Sequence, residues 1–295
     1  MGRPGDAGPG GVLYVVATPI GNLGDITLRA LEVLRAVPLI AAEDTRISRR
    51  LLDRYEIPTR AVSYHARSGP GRERELLEHL GSGSDLALVT DAGTPVVSDP
   101  GEGLVAAWAA AGGSVVPIPG ASAVLAAVAA SGVAGPRWAF EGFLPRSGRD
   151  RRERLSGIAA DPRGSVVFEA PGRTAATLRD LATACGPSRP AAVCRELTKL
   201  HETITRGTLG DLAELAADGT IPARGELVVV VGWLADARAA GDGGGAASTA
   251  LPDEALTAAR ARVEALVADG TARGDAARRV ARDTGLPRRR LYREP

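Results

Sequence analysis

Five short apolar runs, each followed by a loop of small residues and then a helical pattern, fill the first part of this chain and leave few folds open to it. The runs are Leu13–Ala17, Leu39–Ala42, Ala61–Tyr64, Leu86–Val89 and Ser114–Ile118. They are continuously apolar rather than alternating, as strands buried on both faces are. Between them, Leu28–Ala36 places Leu28, Leu31 and Leu34 at helical spacing behind Thr27, a suitable N-cap. Ser48–Tyr55, Arg72–Leu80 and Glu102–Gly112 read as further helices, and another follows Ser122 and ends near Ser131-Gly132. Strand and helix alternating at this spacing predict a mainly parallel α/β sheet. A second α/β set begins at Trp138, with strands at Trp138–Glu141, Ser165–Glu169, Ala191–Glu196 and Glu226–Val231.

The loops after these strands carry the chemistry. The longest runs Thr90-Asp91-Ala92-Gly93-Thr94-Pro95-Val96-Val97-Ser98-Asp99-Pro100-Gly101, between the strand at Leu86–Val89 and the helix from Glu102. Ligands of open α/β sheets bind beyond the carboxyl ends of such strands. Small residues let a backbone approach a ligand closely. Asp91 is placed to take a ribose hydroxyl or an amino group, and Ser122 and Ala123 offer free N–H groups at a helix start. Val96 to Gly101 read as residues that shape the turn. Such a crevice suits an adenosyl ligand held mostly by backbone.

Other classes are excluded. There is no Gly-x-Gly-x-x-Gly, no Walker loop and no nucleophile elbow, and the three histidines lie in unrelated contexts. Cys185 and Cys194 lack metal-ligand spacing and read as reduced core thiols. Aromatics make up 3% of residues, too few for base-stacking platforms, and a net charge of +1 gives no global field for nucleic acid. RNA binding would therefore use local patches. Leu104–Val133 is apolar but broken by Pro117 and Pro119, and Met1–Gly11 is a Gly/Pro-rich polar tail, so a cytoplasmic protein without membrane segment or signal peptide is expected. Of 36 basic residues, Lys199 is the only lysine. Arginine cannot imitate a deprotonatable amine, which singles that position out.

Five segments in order resemble a known family: Thr18–Thr27 (TPIGNLGDIT), Ala42–Arg46 (AEDTR), Asp91–Pro95 (DAGTP) with Asp99–Gly101 (DPG), Glu141–Arg146 (EGFLPR) and Arg195–Lys199 (RELTK). Together they are similar to the small-subunit (16S) ribosomal RNA 2′-O-methyltransferases of the tetrapyrrole (precorrin) methylase superfamily. The resemblance covers roughly Leu13 to Gly232 and the C-terminal helices. It implies two α/β domains with S-adenosylmethionine in the cleft between them, a small C-terminal helical module, a homodimer and no metal. The substrate it implies is a cytidine ribose in the decoding region, in small-subunit ribosomal RNA or the assembled subunit. The expected boundaries are a disordered tail at 1–11, domains at 12–120 and 121–234, a linker at 235–250 and a helix-turn-helix-like RNA-binding module at 251–295. That last stretch, from Pro252, has ten arginines against seven acids and breaks at Gly270 and Gly285-Leu286-Pro287.

By matching position, the resemblance implies cofactor contacts from Pro19, Ile20, Asp91, Gly93, Thr94, Ser122, Ala123, Ala170, Leu197, Gly225 and Glu226. The expected base for the ribose hydroxyl is Lys199, its pKa lowered by burial beside a sulfonium. Glu43, Asp44 and Glu202 are its rivals. Arg46, Arg146 and Arg173 are expected to hold phosphates, with Arg288, Arg289 and Arg290 extending the grip. The chain departs from the family at three places. Ala121 replaces a usual proline and softens a turn. Ala170 and Gly172 stand where Ser and His are usual. Arg67-Ser68-Gly69 replaces His-Asn-Glu, so His65 reads as capping a strand end. A tetrapyrrole methylase is disfavoured by the arginine-rich loops and tail. A non-catalytic RNA-binding or ribosome-assembly factor is disfavoured by the intact cofactor loops.

Overall fold

The computed structural model describes residues 10–234 and 253–284, which belong to two separate compact units. The expectations for the N-terminal tail up to residue 9, for the linker, and for Arg288, Arg289 and Arg290 lie outside the described residues.

The first sheet contains β1 (Val12–Val16), β2 (Leu39–Ala42), β3 (Ala61–Ser63), β4 (Leu86–Val89) and β5 (Ser114–Ile118) in the order β3-β2-β4-β1-β5, every pair parallel. Helices α1 (Leu28–Ala36) and α2 (Thr45–Arg54) cover one face, where Leu34 and Leu52 pack against Val16, Ile40 and Val89. On the other face, α3 (Pro70–Gly81) and α4 (Glu102–Ala110) bring Leu76, Leu80, Leu104 and Trp108 against Leu13, Leu86 and Leu88. All of β4 is buried, which is why it reads as an unbroken apolar run. Thr27 caps α1 by accepting from the Ala30 N–H at 3.1 Å. Helix α2 starts three residues earlier than its apolar spacing suggests, because the Asp44 carboxylate caps it by accepting from the Arg46 N–H at 2.8 Å. His65 lies in the turn after β3, its Nδ1 accepting from the Arg67 N–H at 3.1 Å.

The second sheet is mixed. It is ordered β6 (Trp138–Phe143), β7 (Gly164–Glu169), β10 (Leu227–Val231), β8 (Pro190–Arg195) and β9 (Thr203–Thr208), and only β6 and β7 are parallel. Strand β9 has no apolar run to announce it, since Thr203–Thr208 (TITRGT) is a half-exposed edge strand. Helix α5 (Ala123–Ser131) lies on one face, its Val124 and Ala127 against Val166, Cys194 and Val228. Ile20, from the loop after β1, joins that cluster and ties the two sheets together. Helices α6 (Gly148–Ala160), α7 (Thr174–Cys185) and α8 (Leu209–Ala217) fill the opposite face with Ile158, Leu178, Leu181 and Leu212.

The register of β10 positions the site. Leu227 faces Glu169 on one side and Arg195 on the other. Because β10 is antiparallel to both neighbours, its starting loop emerges where β7 and β8 end. Residues 170, 197 and 226 therefore gather at one edge.

The other unit is a helical pair, α9 (Asp253–Ala268) and α10 (Arg273–Thr284), packed through Ala259, Val263, Ala276, Ala277 and Val280. The break expected at Gly270 falls between them, with φ at +88°. No helix among the described residues is long and apolar enough to cross a membrane.

Candidate active site

The loops after β1 and β4 meet as a two-residue ladder, with N–H to O distances of 2.8 Å and 3.0 Å between Thr18 and Gly93. Beyond it the 90–101 loop is strained. Val96 and Ser98 hold φ of +75° and +65°, and positive φ is a genuine outlier for a β-branched valine. Gly101, at φ +126°, could not be anything larger, since a Cβ there would meet Leu88 Cδ2 at 2.6 Å. This conformation turns Asp91, Thr94, Val97 and Asp99 toward a cavity of about 450 Å³. Its far wall is built from Phe143, Phe168, Glu169, Ala170, Leu197 and Glu226 of the second sheet. Phe168 is fixed between Phe140 and Phe143, with ring centroids at 4.9 Å and 5.5 Å in edge-to-face packing.

Carboxylates dominate the polar part of this wall. Thr90 Oγ1 donates to Glu43 Oε2 at 2.7 Å, and the Asp44 N–H donates to Asp91 Oδ1 at 2.9 Å. Burial raises the pKa of Asp91, and the charges of Glu43 and Asp44 add to this. Asp99 is pushed up to about 6, first by burial and then by the charge of Glu43, against a hydrogen bond from Thr90. Glu169 is fully buried, accepting from the Ala170 N–H at 2.7 Å and from Thr177. Cys194 also lines the cavity, but burial pushes its thiol up to about 11, far from a reactive thiolate.

A second chamber of about 280 Å³ adjoins the first, and Ile20, Asp91, Ala92 and Glu226 line both. Lys199 belongs to this smaller chamber. Its Nζ pairs with Glu196 Oε1 at 3.0 Å and Glu226 Oε2 at 3.2 Å. The turn that presents it is strained, with φ of +54° at Glu196 and +67° at Thr198. Glu202 holds that turn by accepting from the Thr198 N–H at 2.6 Å, a capping role.

The partners of the lone lysine act against the lowered pKa expected of it. Burial acts to lower its pKa, but the hydrogen bonds and charges of Glu196 and Glu226 outweigh burial and hold the pKa above the ordinary lysine value. Asp44 pairs with Arg46, which lowers its carboxyl to about 2. Of the expected cofactor residues, Ile20, Asp91, Gly93, Thr94, Ser122, Ala123, Ala170, Leu197 and Glu226 line the larger cavity, as does Glu43. Pro19 lines only the smaller chamber, and Gly225 lines neither. Arg46 and Arg146 are exposed. Arg173 is half-buried, its guanidinium donating to the Leu144 carbonyl at 3.0 Å and pairing with Glu169 at 3.3 Å.

Asp99, Glu169, Phe143 and Phe168 are wall residues that sequence reasoning missed. Among the described residues, no group of three or more His, Cys, Asp or Glu could hold a metal ion.

Gly225 acts from behind. It holds φ of +86°, and a Cβ would fall 2.7 Å from the Glu196 carboxyl carbon. Glu196 Oε1 accepts from the Glu226 N–H at 2.8 Å as well as from Lys199. Gly225→Ala should therefore dislodge the whole Glu196–Lys199–Glu226 group. The strain of a left-handed alanine is about 1–2 kcal/mol, and taken from ligand binding this weakens affinity about tenfold. Titration of S-adenosylhomocysteine by calorimetry reads this; wild-type affinity in Gly225→Ala would remove Gly225 from the site.

Residues 12–213 match the tetrapyrrole (corrin/porphyrin) methylases as a family. The chain is 45% identical over 282 residues to the ribosomal RNA small subunit methyltransferase I of Synechocystis sp., covering 96% of each. In fold it is similar to a cobalt precorrin-4 methyltransferase, with a TM-score of 0.59 at 19% identity over 75% of this chain and 95% of that one. It is likewise similar to the uroporphyrin-III C-methyl transferase of Thermus thermophilus complexed with S-adenyl homocysteine, with a TM-score of 0.54 at 21% identity over 75% of this chain and 97% of that one.

Proposed function

The chain belongs to the tetrapyrrole (corrin/porphyrin) methylase family and, within it, to the ribosomal RNA small subunit methyltransferase I group, and on that premise we propose that it is an S-adenosylmethionine-dependent enzyme that 2′-O-methylates a cytidine ribose in the decoding region of small-subunit ribosomal RNA, acting as a homodimer. The observation that carries this reading is the convergence of nine residues, from six separate segments, on one cavity whose charged groups are all carboxylates. The donor set fits the cofactor. Glu43, Asp91 and Asp99 give a negative field for a cationic ligand, while Ala92, Ala123 and Ala170 let the backbone close on a nucleoside.

When bound, S-adenosylmethionine supplies a methyl group made electrophilic by its sulfonium. The residues of this chain then have three tasks. The strained loop at 90–101 and the start of α5 hold the cofactor in line with the acceptor, and alignment supplies most of the acceleration. Ile20, Val97, Leu197, Phe143 and Phe168 give the pocket an apolar wall that limits water. The carboxylate cluster takes the ribose proton: Asp91, which lines both chambers, faces the acceptor, while Lys199 stays an ammonium facing the acceptor side. Asp99, whose charge couples to Asp91 and whose carboxyl is pushed up to about 6, lies behind it on the cofactor side.

Radiolabelled methyl transfer tests this reading with three acceptors: deproteinised small-subunit RNA, intact small subunits and uroporphyrinogen. Label is expected in RNA, alone or in the particle, and digestion should return it as 2′-O-methylcytidine. Label in uroporphyrinogen, or in a base rather than a ribose, would overturn it. The solution mass of the full chain checks the dimer.

A further inference from the structure

We propose that the smaller chamber beside Lys199 is the acceptor subsite, and that the arginine face of α2 lays the anionic ribose–phosphate chain into it. This rests on the reading of the protein as an RNA methyltransferase. The first argument is charge segregation across a shared partition. The larger cavity is lined by Glu43, Asp91, Asp99, Glu169 and Glu226 and by no basic residue. The smaller one shares Asp91 and Glu226 with it but adds Lys199 and Arg50, so both basic groups lie on that side alone. A cationic sulfonium and a polyanion are thereby sorted to opposite sides of Asp91 and Ala92, which line both.

The second argument is an orphan group. Ser48 is 7% exposed and lines the smaller chamber, yet its hydroxyl has no hydrogen-bond partner. Buried hydroxyls are nearly always satisfied, so one left open on a chamber wall points to a ligand that completes it. The third is the helix that carries Ser48. Thr45–Arg54 (TRISRRLLDR) holds Arg46, Arg49, Arg50 and Arg54 against the single acid Asp53. Among the described residues, Arg46 pairs with Asp44 and Arg49 with Asp53, in pairs where the arginines are 88% and 67% exposed. Pairs that open to water are weak and are readily exchanged for phosphate. Arg50, exposed and lining the chamber, has no ion-pair partner among the described residues. Ile47 adds an exposed apolar surface at the same rim, where a ribose or base can rest.

The test uses the full chain and three variants: Arg50→Glu, Arg46→Glu and Ser48→Ala. Binding of deproteinised small-subunit RNA is measured across salt concentrations, and S-adenosylhomocysteine binding by calorimetry. Each charge reversal should weaken RNA binding several-fold and lower the salt slope by about one for each phosphate no longer neutralised. Cofactor affinity should stay within about twofold in both. Ser48→Ala should raise KM for RNA while its melting temperature holds or rises, because an orphan hydroxyl is removed. A fall in melting temperature at wild-type KM would mark Ser48 as structural and sink the subsite. Unchanged RNA affinity and slope in both arginine variants would sink the α2 surface. RNA bound through α2 but never methylated would instead overturn the enzymatic reading and leave this surface standing.

Discussion

Methyl transfer to RNA, measured as kcat/KM, is expected to rise through about pH 6 and then stay level to pH 9, with Asp99→Asn abolishing the rise and lowering the rate at least about 100-fold. The quantity kcat/KM reports the ionisations of the free enzyme, in which Asp99 is pushed up to about 6 by burial and by Glu43. The alternative makes the opposite prediction. If the Lys199 amine took the ribose proton, the rate would keep climbing above pH 8, because Glu196 and Glu226 hold that amine protonated. Lys199→Arg keeps the charge and should leave the limb near pH 6 in place. A limb that moves with Lys199 would return the base to the amine.

Stability gives the same residue a second, opposite signature. The folded pKa of Asp99 lies above its ordinary value, so folding favours its protonated form. That contribution is complete below about pH 4 and is lost as pH rises through about 6. Asp99→Asn, which cannot ionise, should therefore be more stable than the wild type at pH 8, by about 1–2 kcal/mol once partial exposure is discounted. The two proteins should converge at pH 4. Urea melts at both values decide it, and an Asp99→Asn variant less stable than the wild type at pH 8 would show that the carboxylate is held by contacts rather than strained by burial. A substitution that stabilises the fold while disabling transfer is the pattern of a residue kept for chemistry.

The first sheet was legible because its strands are buried on both faces, so Leu39–Ala42 and Leu86–Val89 announce themselves as apolar runs of the observed length. Direction is not written in such runs. Leu227–Val231 would read the same parallel or antiparallel, yet its antiparallel insertion brings Glu226, before a strand, beside Ala170, after one. Strand β9 escaped because Thr203–Thr208 lies at an edge and needs no apolar face. Asp99 escaped for a different reason. Its place on the cavity wall depends on positive φ at Val96 and Ser98, a strained path that residue preferences argue against. Lys199 stood out by number alone, but its protonation depends on Glu226, 27 positions away on another strand's approach. Counting can find a residue; only its partners fix its charge.

Arg189→Met should cost about 3–5 kcal/mol of stability while leaving the chemistry of the folded protein intact. Arg189 is 3% exposed and pairs with no carboxylate among the described residues; its guanidinium donates to the carbonyls of Gly232 at 2.9 Å, Ile158 at 3.2 Å, Asp161 at 3.1 Å and Arg163 at 2.9 Å. Those carbonyls belong to the end of α6, the approach to β7 and the exit of β10, so one cation closes three chain ends and opposes the negative end of the α6 dipole. Methionine matches the stem but leaves all four acceptors without that donor. In a chain of this size the loss corresponds to a melting temperature lower by about 10 °C. The staple holds Gly232 at the exit of β10 and the site has Glu226 at its start, roughly 20 Å apart at the rise of an extended strand. Below its melting range the variant should therefore keep kcat/KM within about twofold, as distant sites do. Lost transfer with an unshifted melting curve would mean that the two ends of β10 are coupled, and that Arg189 steers the site rather than holding the sheet.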